Sequence, residues 1–150
     1  MASDILVIEK NLLNSEVFRS LSSTAKDVYF RFLMKRVIGK TKPRPGRKSE
    51  RVIINNGQLE YTYSEAEKAG IPRSTFMRAI DQLVSKGFID IHHSGSGGKK
   101  GDKNLYGISN RWRAWGKAEF VEKKRPRDAR GGRGFSIYWK KQNANHGYQK

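Results

Sequence analysis

Residues 64–91 read SEAEKAGIPRSTFMRAIDQLVSKGFIDI, and their pattern predicts a short helix, a tight turn, a longer amphipathic helix and the start of a β-strand. Ser64-x-x-Glu67 has the form of a capping box, in which the serine oxygen accepts a hydrogen bond from a backbone N–H in the first turn of a helix. Gly70 ends that helix, because glycine adopts the left-handed conformation that a tight turn needs. Pro72 then fits the first turn of the longer helix. The segment is therefore predicted to be a helix-turn-helix.

The longer helix has one apolar and one polar face and is predicted to end at Gly87. The apolar face carries Phe76, Ile80, Leu83 and Val84. The polar face carries Ser74, Arg78, Gln82 and Ser85. Residues 88–91 begin a strand, a loop at 92–104 with four Gly, three Lys and two His follows, and LYGIS at 105–109 is a second strand. This order of elements predicts an α+β fold, a winged helix-turn-helix with the glycine-rich loop as its wing.

The charge of the chain indicates a polyanionic partner. The 150 residues include 31 Lys and Arg against 14 Asp and Glu, which gives a formal net charge of +17 and a pI near 10.3. Residues 1–34 are balanced, with four basic and four acidic side chains. Residues 35–51 hold eight basic and one acidic side chain, and residues 123–133 hold six and one. Two dense basic runs on either side of a helix-turn-helix favour contact with phosphates.

Three segments are predicted along the chain. Residues 1–13 are an N-terminal arm, residues 14–116 are the winged helix-turn-helix domain, and residues 117–150 are a basic, partly disordered C-terminal extension. Within the domain, residues 40–51 are predicted to be a basic loop insertion, because prolines and a glycine interrupt them.

Two further patterns refine the domain. Ser22 or Ser23 is predicted to cap a helix that runs to about Val37 and packs its apolar stripe against the later helices. Asn56-Gly57 lies between two strand-like runs, which is a strong signal for a β-hairpin.

The candidate DNA-contacting residues follow from groove geometry and charge. Arginine can donate two hydrogen bonds to guanine O6 and N7, and glutamine can bond adenine N6 and N7. Base reading is therefore assigned to Ser74, Thr75, Arg78 and Gln82. Phosphate binding is assigned to Arg73, Lys99, Lys100, Lys103, Lys42, Arg44, Arg47, Lys48, Lys123, Lys124, Arg125 and Arg127.

The stretch GIPRSTFMRAIDQLVSKGFIDI, residues 70–91, resembles the segment from recognition helix to wing in bacterial winged helix-turn-helix proteins. The matching positions are Ser74, Thr75, Arg78, Leu83, Gly87, Phe88 and Ile89. The resemblance covers about residues 15–115 and is nearest to proteins of phages, plasmids and integrative elements, including replication-initiator domains and small transcriptional regulators. It implies sequence-specific binding of duplex DNA by the helix around residues 72–86. The insert at 40–51 and the C-terminal extension depart from the family pattern.

Several classes of function are disfavoured. The sequence contains no cysteine, so it holds no disulfide and no thiolate metal site, and it fits a cytoplasmic, nucleoid-associated protein. No apolar run approaches the length of a transmembrane helix and no signal peptide opens the chain, so no membrane partner is expected. His92-His93 has no carboxylate cluster beside it, and the acidic residues are scattered. We therefore expect no metal, no cofactor and no enzymatic activity.

Two alternatives stay open from the sequence. RDARGGRG, residues 127–134, resembles the arginine-glycine segments that bind RNA or single strands with little sequence preference. The protein could then be an RNA-binding or nucleoprotein-complex subunit in which the winged helix contacts protein. A homodimer is also compatible with the sequence, formed through either the N-terminal arm or the C-terminal segment.

Overall fold

The computed structural model describes residues 4–95 and 102–126, and this part of the chain is a mixed α+β fold, as predicted. It contains five α-helices, two small antiparallel sheets and a 3-10 turn at Arg111–Ala114. The elements in chain order are α1 Lys10–Asn14, α2 Glu16–Arg19, α3 Ser23–Lys35, β1 Ile38–Lys40, β2 Arg51–Ile53, α4 Tyr63–Lys68, α5 Arg73–Ser85, β3 Ile89–His93 and β4 Leu105–Ile108. None of the helices described is long and apolar enough to cross a membrane.

The starts of the helices show where local sequence decides the structure. The hydroxyl of Ser22 accepts a hydrogen bond from the N–H of Ala25 at 3.2 Å, which confirms the predicted cap of α3. The predicted cap of α4 at Ser64 is wrong, because α4 begins two residues earlier than that cap implies, at Tyr63, and Thr62 caps it by accepting from the N–H of Glu65 at 3.2 Å. Thr62 and Glu65 have the same capping-box spacing as Ser64 and Glu67, so the sequence contains two overlapping capping boxes, and the first one forms the cap.

Two glycines end α4 and α5 as predicted. Gly70 has a φ of +79°, and the following N–H, that of Ile71, donates to the carbonyl of Ala66 at 2.9 Å. Gly87 has a φ of +86°, and a side chain there would place its Cβ 2.7 Å from the backbone N of Trp112. Both sites need the left-handed conformation, and the second also needs the absence of a side chain.

The predicted basic loop is the tip of a β-hairpin. Lys40 pairs with Arg51 and Ile38 pairs with Ile53, so the two ends of the predicted loop are strand residues and only residues 41–50 connect them. The side chain of Asn55 ties this hairpin to the end of α3, since it accepts from the N–H of Val37 at 2.8 Å and donates to the carbonyl of Lys35 at 3.0 Å.

The predicted hairpin around Asn56-Gly57 is wrong. The run before this turn pairs with β1, and Leu59 after it exchanges backbone hydrogen bonds of 3.0 and 2.8 Å with Tyr106 of β4. The turn exists, but its flanks do not pair with each other: the run before it pairs with β1, 11 to 15 residues earlier, and Leu59 pairs with Tyr106, 47 residues later. Local turn chemistry cannot reveal such partners.

The core lies between α3, α5 and the β3–β4 hairpin. Phe88 is fully buried, and its ring centroid lies 5.1 Å from that of Tyr29, 6.2 Å from Phe18 and 6.0 Å from Trp112. The N-terminal arm also contributes, because α1 is helical and Leu12 is buried. The last part of the predicted arm is therefore helical and packs into the core.

Arg111 joins three parts of the fold. Its guanidinium donates to the carbonyl of Val84 at the end of α5 (2.8 Å), to the carboxylate of Asp90 in β3 (2.7 and 3.0 Å) and to the carbonyl of Val121 (2.9 Å). The side chain of Arg111 is only 17% exposed. Its loss would leave a half-buried carboxylate and two carbonyls without these donors.

We expect Arg111→Ala to lower the free energy of unfolding by about 3 kcal/mol, because the carboxylate of Asp90 loses its guanidinium partner and retains only Lys123 at 3.5 Å, while two carbonyls lose a donor. Urea denaturation measures this loss. Arg113→Ala is the matched control, since Arg113 lies on the same turn but pairs with Glu9 at the surface, and its loss should cost less than about 1 kcal/mol. Equal losses for the two variants would contradict the role given to Arg111.

Acid should weaken the fold through Asp90. Burial alone would raise the pKa of Asp90, but the hydrogen bond and positive charge of Arg111 hold this pKa below its ordinary value of 3.8. The pair therefore contributes fully above pH 3.8 and its contribution is lost as the pH falls through the lowered pKa. We expect the unfolding free energy of the native protein to fall on acidification below that pH more steeply than that of Asp90→Asn. Parallel curves would contradict this assignment.

Candidate nucleic-acid interface

The exposed face of α5 centres on Arg78. Ser74, one turn before it, and Asp81, three residues after it, are also exposed, and Thr75 is half-buried at the edge of this face. Within residues 4–95 and 102–126, the guanidinium of Arg78 makes no hydrogen bond and no ion pair. The structure thus brings three of the four predicted base-reading residues to one accessible surface and leaves the donors of Arg78 available.

Gln82, the fourth predicted base-reading residue, is bonded inside the protein. Its Oε1 accepts from the backbone N–H of Ser22 at 3.1 Å, and its Nε2 donates to the hydroxyl of Ser22 at 3.3 Å. Ser22 caps α3, so Gln82 fastens α5 to the start of α3. Base reading by Gln82 stays a prediction, and it would require both of these bonds to break.

Two predicted phosphate-binding residues lie close to α5 and the β3–β4 hairpin. The guanidinium of Arg73, in the first turn of α5, lies 4.4 Å from the ring centroid of Tyr63. The ammonium of Lys103, which precedes β4, lies 3.1 Å from a carboxylate oxygen of Glu60. Both side chains are exposed, and both have a protein contact that orients them. Lys99 and Lys100 lie outside the described residues.

A second group of predicted phosphate-binding residues lies at the tip of the β1–β2 hairpin. Its members are the exposed side chains of Lys42, Arg44, Arg47 and Lys48. A backbone hydrogen bond of 3.0 Å from Arg47 to Arg44 closes the tip. The hairpin that carries this basic tip is attached to the end of α3 through Asn55. Gln82 of α5, in contrast, is bonded to Ser22 at the start of α3.

The C-terminal segment runs back over α5, which the sequence did not reveal. Arg125 binds Asp81 through two contacts, of 2.6 Å from Nε and 3.3 Å from Nη2. Lys123 lies 3.5 Å from the carboxylate of Asp90. The bond with Asp81 raises the pKa of Arg125 above its ordinary value. Lys124 is exposed, and Arg127 lies outside the described residues.

The hairpin that follows α5 carries one histidine contact. Nε2 of His93 lies 2.7 Å from Oδ1 of Asp102, across the base of the loop. In the part of the chain that the structure describes, no group of three or more His, Asp or Glu side chains is placed to hold a metal ion.

These features define a surface suited to a polyanion: an arginine with free donors on an exposed helical face, with further cations on the neighbouring hairpin and C-terminal segment. Comparison with protein-family models, with curated proteins and with solved structures finds no match to this chain.

Two neighbouring residues of α5 should differ in their effect on stability. Gln82→Ala removes two hydrogen bonds that join α5 to α3, and we expect it to lower the unfolding free energy by about 1 kcal/mol. Arg78→Ala removes an exposed side chain and should change the unfolding free energy by less than about 0.5 kcal/mol. Thermal or urea denaturation of both variants provides the measurement. A larger loss for Arg78→Ala than for Gln82→Ala would show that Arg78 is a structural residue.

Proposed function

We propose that the protein is a non-enzymatic duplex-DNA-binding regulator of transcription or replication with a winged helix-turn-helix fold. The order of α3, the bridge at Leu59, α4, α5, β3, a glycine-rich loop and β4 supports this fold. In it, α5 is the recognition helix and the β3–β4 hairpin is the wing. The observation that carries the proposal is Arg78, exposed and free of partners among the residues described, at the centre of the polar face of α5.

The geometry of α5 is compatible with the major groove. The helix has 13 residues, so it is about 20 Å long, and the major groove of B-DNA admits an α-helix. Arg78 would donate two hydrogen bonds to a guanine, with the hydroxyls of Ser74 and Thr75 bonding a base or phosphate nearby. Reading a base with Arg78 breaks no hydrogen bond or ion pair to the residues the structure describes.

Affinity would come mainly from phosphates. Lys103 and the neighbouring lysines of the wing would follow one backbone strand, and Lys103 would exchange Glu60 for a phosphate. The basic tip of the β1–β2 hairpin would supply a second, separate set of phosphate contacts. If binding neutralises six to eight phosphates, raising the salt concentration from low to physiological would lower the affinity by on the order of a thousandfold.

The test is selection of bound sequences from a random duplex pool, followed by binding measurements with variants of Arg78. Arg78→Ala should cost about 1–3 kcal/mol on the selected site and relax the preference at one position. Arg78→Lys keeps the charge but cannot form the bidentate pair, so it should lose most of the same preference. As the control, Lys48→Ala at the basic tip should weaken binding to selected and unrelated duplexes alike.

The outcomes separate the proposal from its competitors. Unchanged sequence preference in a folded Arg78→Ala protein would remove Arg78 from the reading role. If the native protein enriches no duplex sequence and binds structured RNA of equal charge more tightly across a salt titration, the RNA-binding alternative replaces this proposal.

A further inference from the structure

Asp81 is an unexpected residue for a surface that contacts DNA. It lies three residues after Arg78 on the same exposed face of α5, and its side chain is 48% exposed. A free carboxylate at this position would repel phosphates and lower the affinity for any polyanion. In the structure, however, Arg125 binds both oxygens of Asp81, at 2.6 and 3.3 Å, and so neutralises it.

Within the described residues 121–126, Arg125 is the last of three anchor points. Val121 accepts from Arg111 at 2.9 Å, Lys123 lies 3.5 Å from Asp90, and Arg125 then reaches the middle of α5. We call residues 121–125 the strap. The strap thus runs from the end of α5, past the start of β3, to the exposed face beside Arg78.

The end of the strap lies on α5, where Arg125 binds Asp81. Lys123, two residues earlier, lies 3.5 Å from the carboxylate of Asp90 in β3, so the strap passes the β3–β4 hairpin before it reaches α5. The described chain ends at Pro126, one residue after the pair with Asp81.

We propose that Asp81 is a positioning residue for the C-terminal tail, residues 127–150. By binding Arg125, it directs the tail to the DNA phosphates beside the groove that α5 enters. The chemistry of the tail suits this role, because it contains six basic side chains and one acidic side chain. The inference rests on the proposed function and adds to it a second contact that is independent of sequence.

The charge of Asp81 gives this inference a sharp test. If Asp81 acted only through its own charge, Asp81→Asn would raise the affinity for DNA, since it removes a carboxylate from the interface. If Asp81 positions the tail, the same substitution lowers the affinity, because the tail is no longer held at a high effective concentration near the phosphates. The two mechanisms therefore predict opposite signs.

The experiment measures the affinity of the full-length protein for its selected duplex over a range of salt concentrations. Asp81→Asn should weaken binding about three- to tenfold and reduce the slope of log affinity against log salt by about 1–2, with the sequence preference unchanged. Asp81→Glu, which can still bind Arg125, should keep the native affinity. Asp27→Asn is the matched control: it removes an exposed carboxylate that pairs with Arg31 on α3, and it should leave the affinity unchanged or raise it.

Repeating the substitution in a protein with a less basic tail shows whether the effect of Asp81→Asn on affinity depends on the tail. In a full-length protein with Arg127, Arg130 and Arg133 changed to Gln, Asp81→Asn should no longer weaken binding. Asp81→Asn combined with Arg125→Gln should bind no more weakly than Arg125→Gln alone, because the two residues act as a unit. Circular dichroism and thermal unfolding establish that each variant is folded.

Three results would overturn the inference: native or tighter binding by Asp81→Asn, an equal loss when the tail is neutralised, or additive losses in the double variant. Each of these leaves the proposed function intact as long as the native protein selects a duplex sequence. Failure of the native protein to bind any duplex would instead reject the proposed function itself, and with it this role of Asp81.

Discussion

The hydrogen bonds of Arg111 are the constraint on which the arrangement of α5, β3 and the C-terminal segment depends. The carbonyl of Val84, in the last turn of α5, accepts from the guanidinium at 2.8 Å in addition to the backbone N–H of Gly87 at 3.3 Å. The same group balances Asp90 and holds Val121. Since Arg111 follows β4 by three residues, this one side chain contacts the hairpin, the helix and the strap at the same time. The polar face of α5 consequently has a defined position relative to the β3–β4 hairpin.

The sequence predicted those parts of the fold that depend on local chemistry. Ser22, Gly70 and Gly87 set the limits of helices through bonds to residues a few positions away, so their types and spacing were sufficient. Asn56-Gly57 shows the limit of this reasoning. A turn is encoded locally, but the pairing of Leu59 with Tyr106 depends on which strand arrives from far along the chain. The α+β class could therefore be predicted, whereas the pairing of β1 with β2 could not.

The candidate site divides in the same way. A helical period of 3.6 residues predicts which side chains are exposed on α5, and Arg78 is exposed. The period does not tell an available side chain from one that is already bonded. Gln82 has its partner 60 residues away, and Arg125 binds Asp81 over 44 residues. Both contacts arise only when α3, α5 and the strap come together, so no spacing in the sequence could have revealed them.

The distribution of ion pairs changes what the net charge of +17 means for binding. Lys103, Lys123 and Arg125 each have a carboxylate partner, so a phosphate must replace that partner before any of them adds affinity. Among the residues described, Lys124 and the basic tip of the β1–β2 hairpin carry no such pair and are free to bind phosphates directly. A cation paired with a carboxylate is oriented by that partner, whereas the charge of an unpaired cation is not neutralised within the protein. Arg125 is therefore better suited to direct the chain that follows it than to bind DNA itself, while Arg78, free and held on a rigid helix, is suited to read a base.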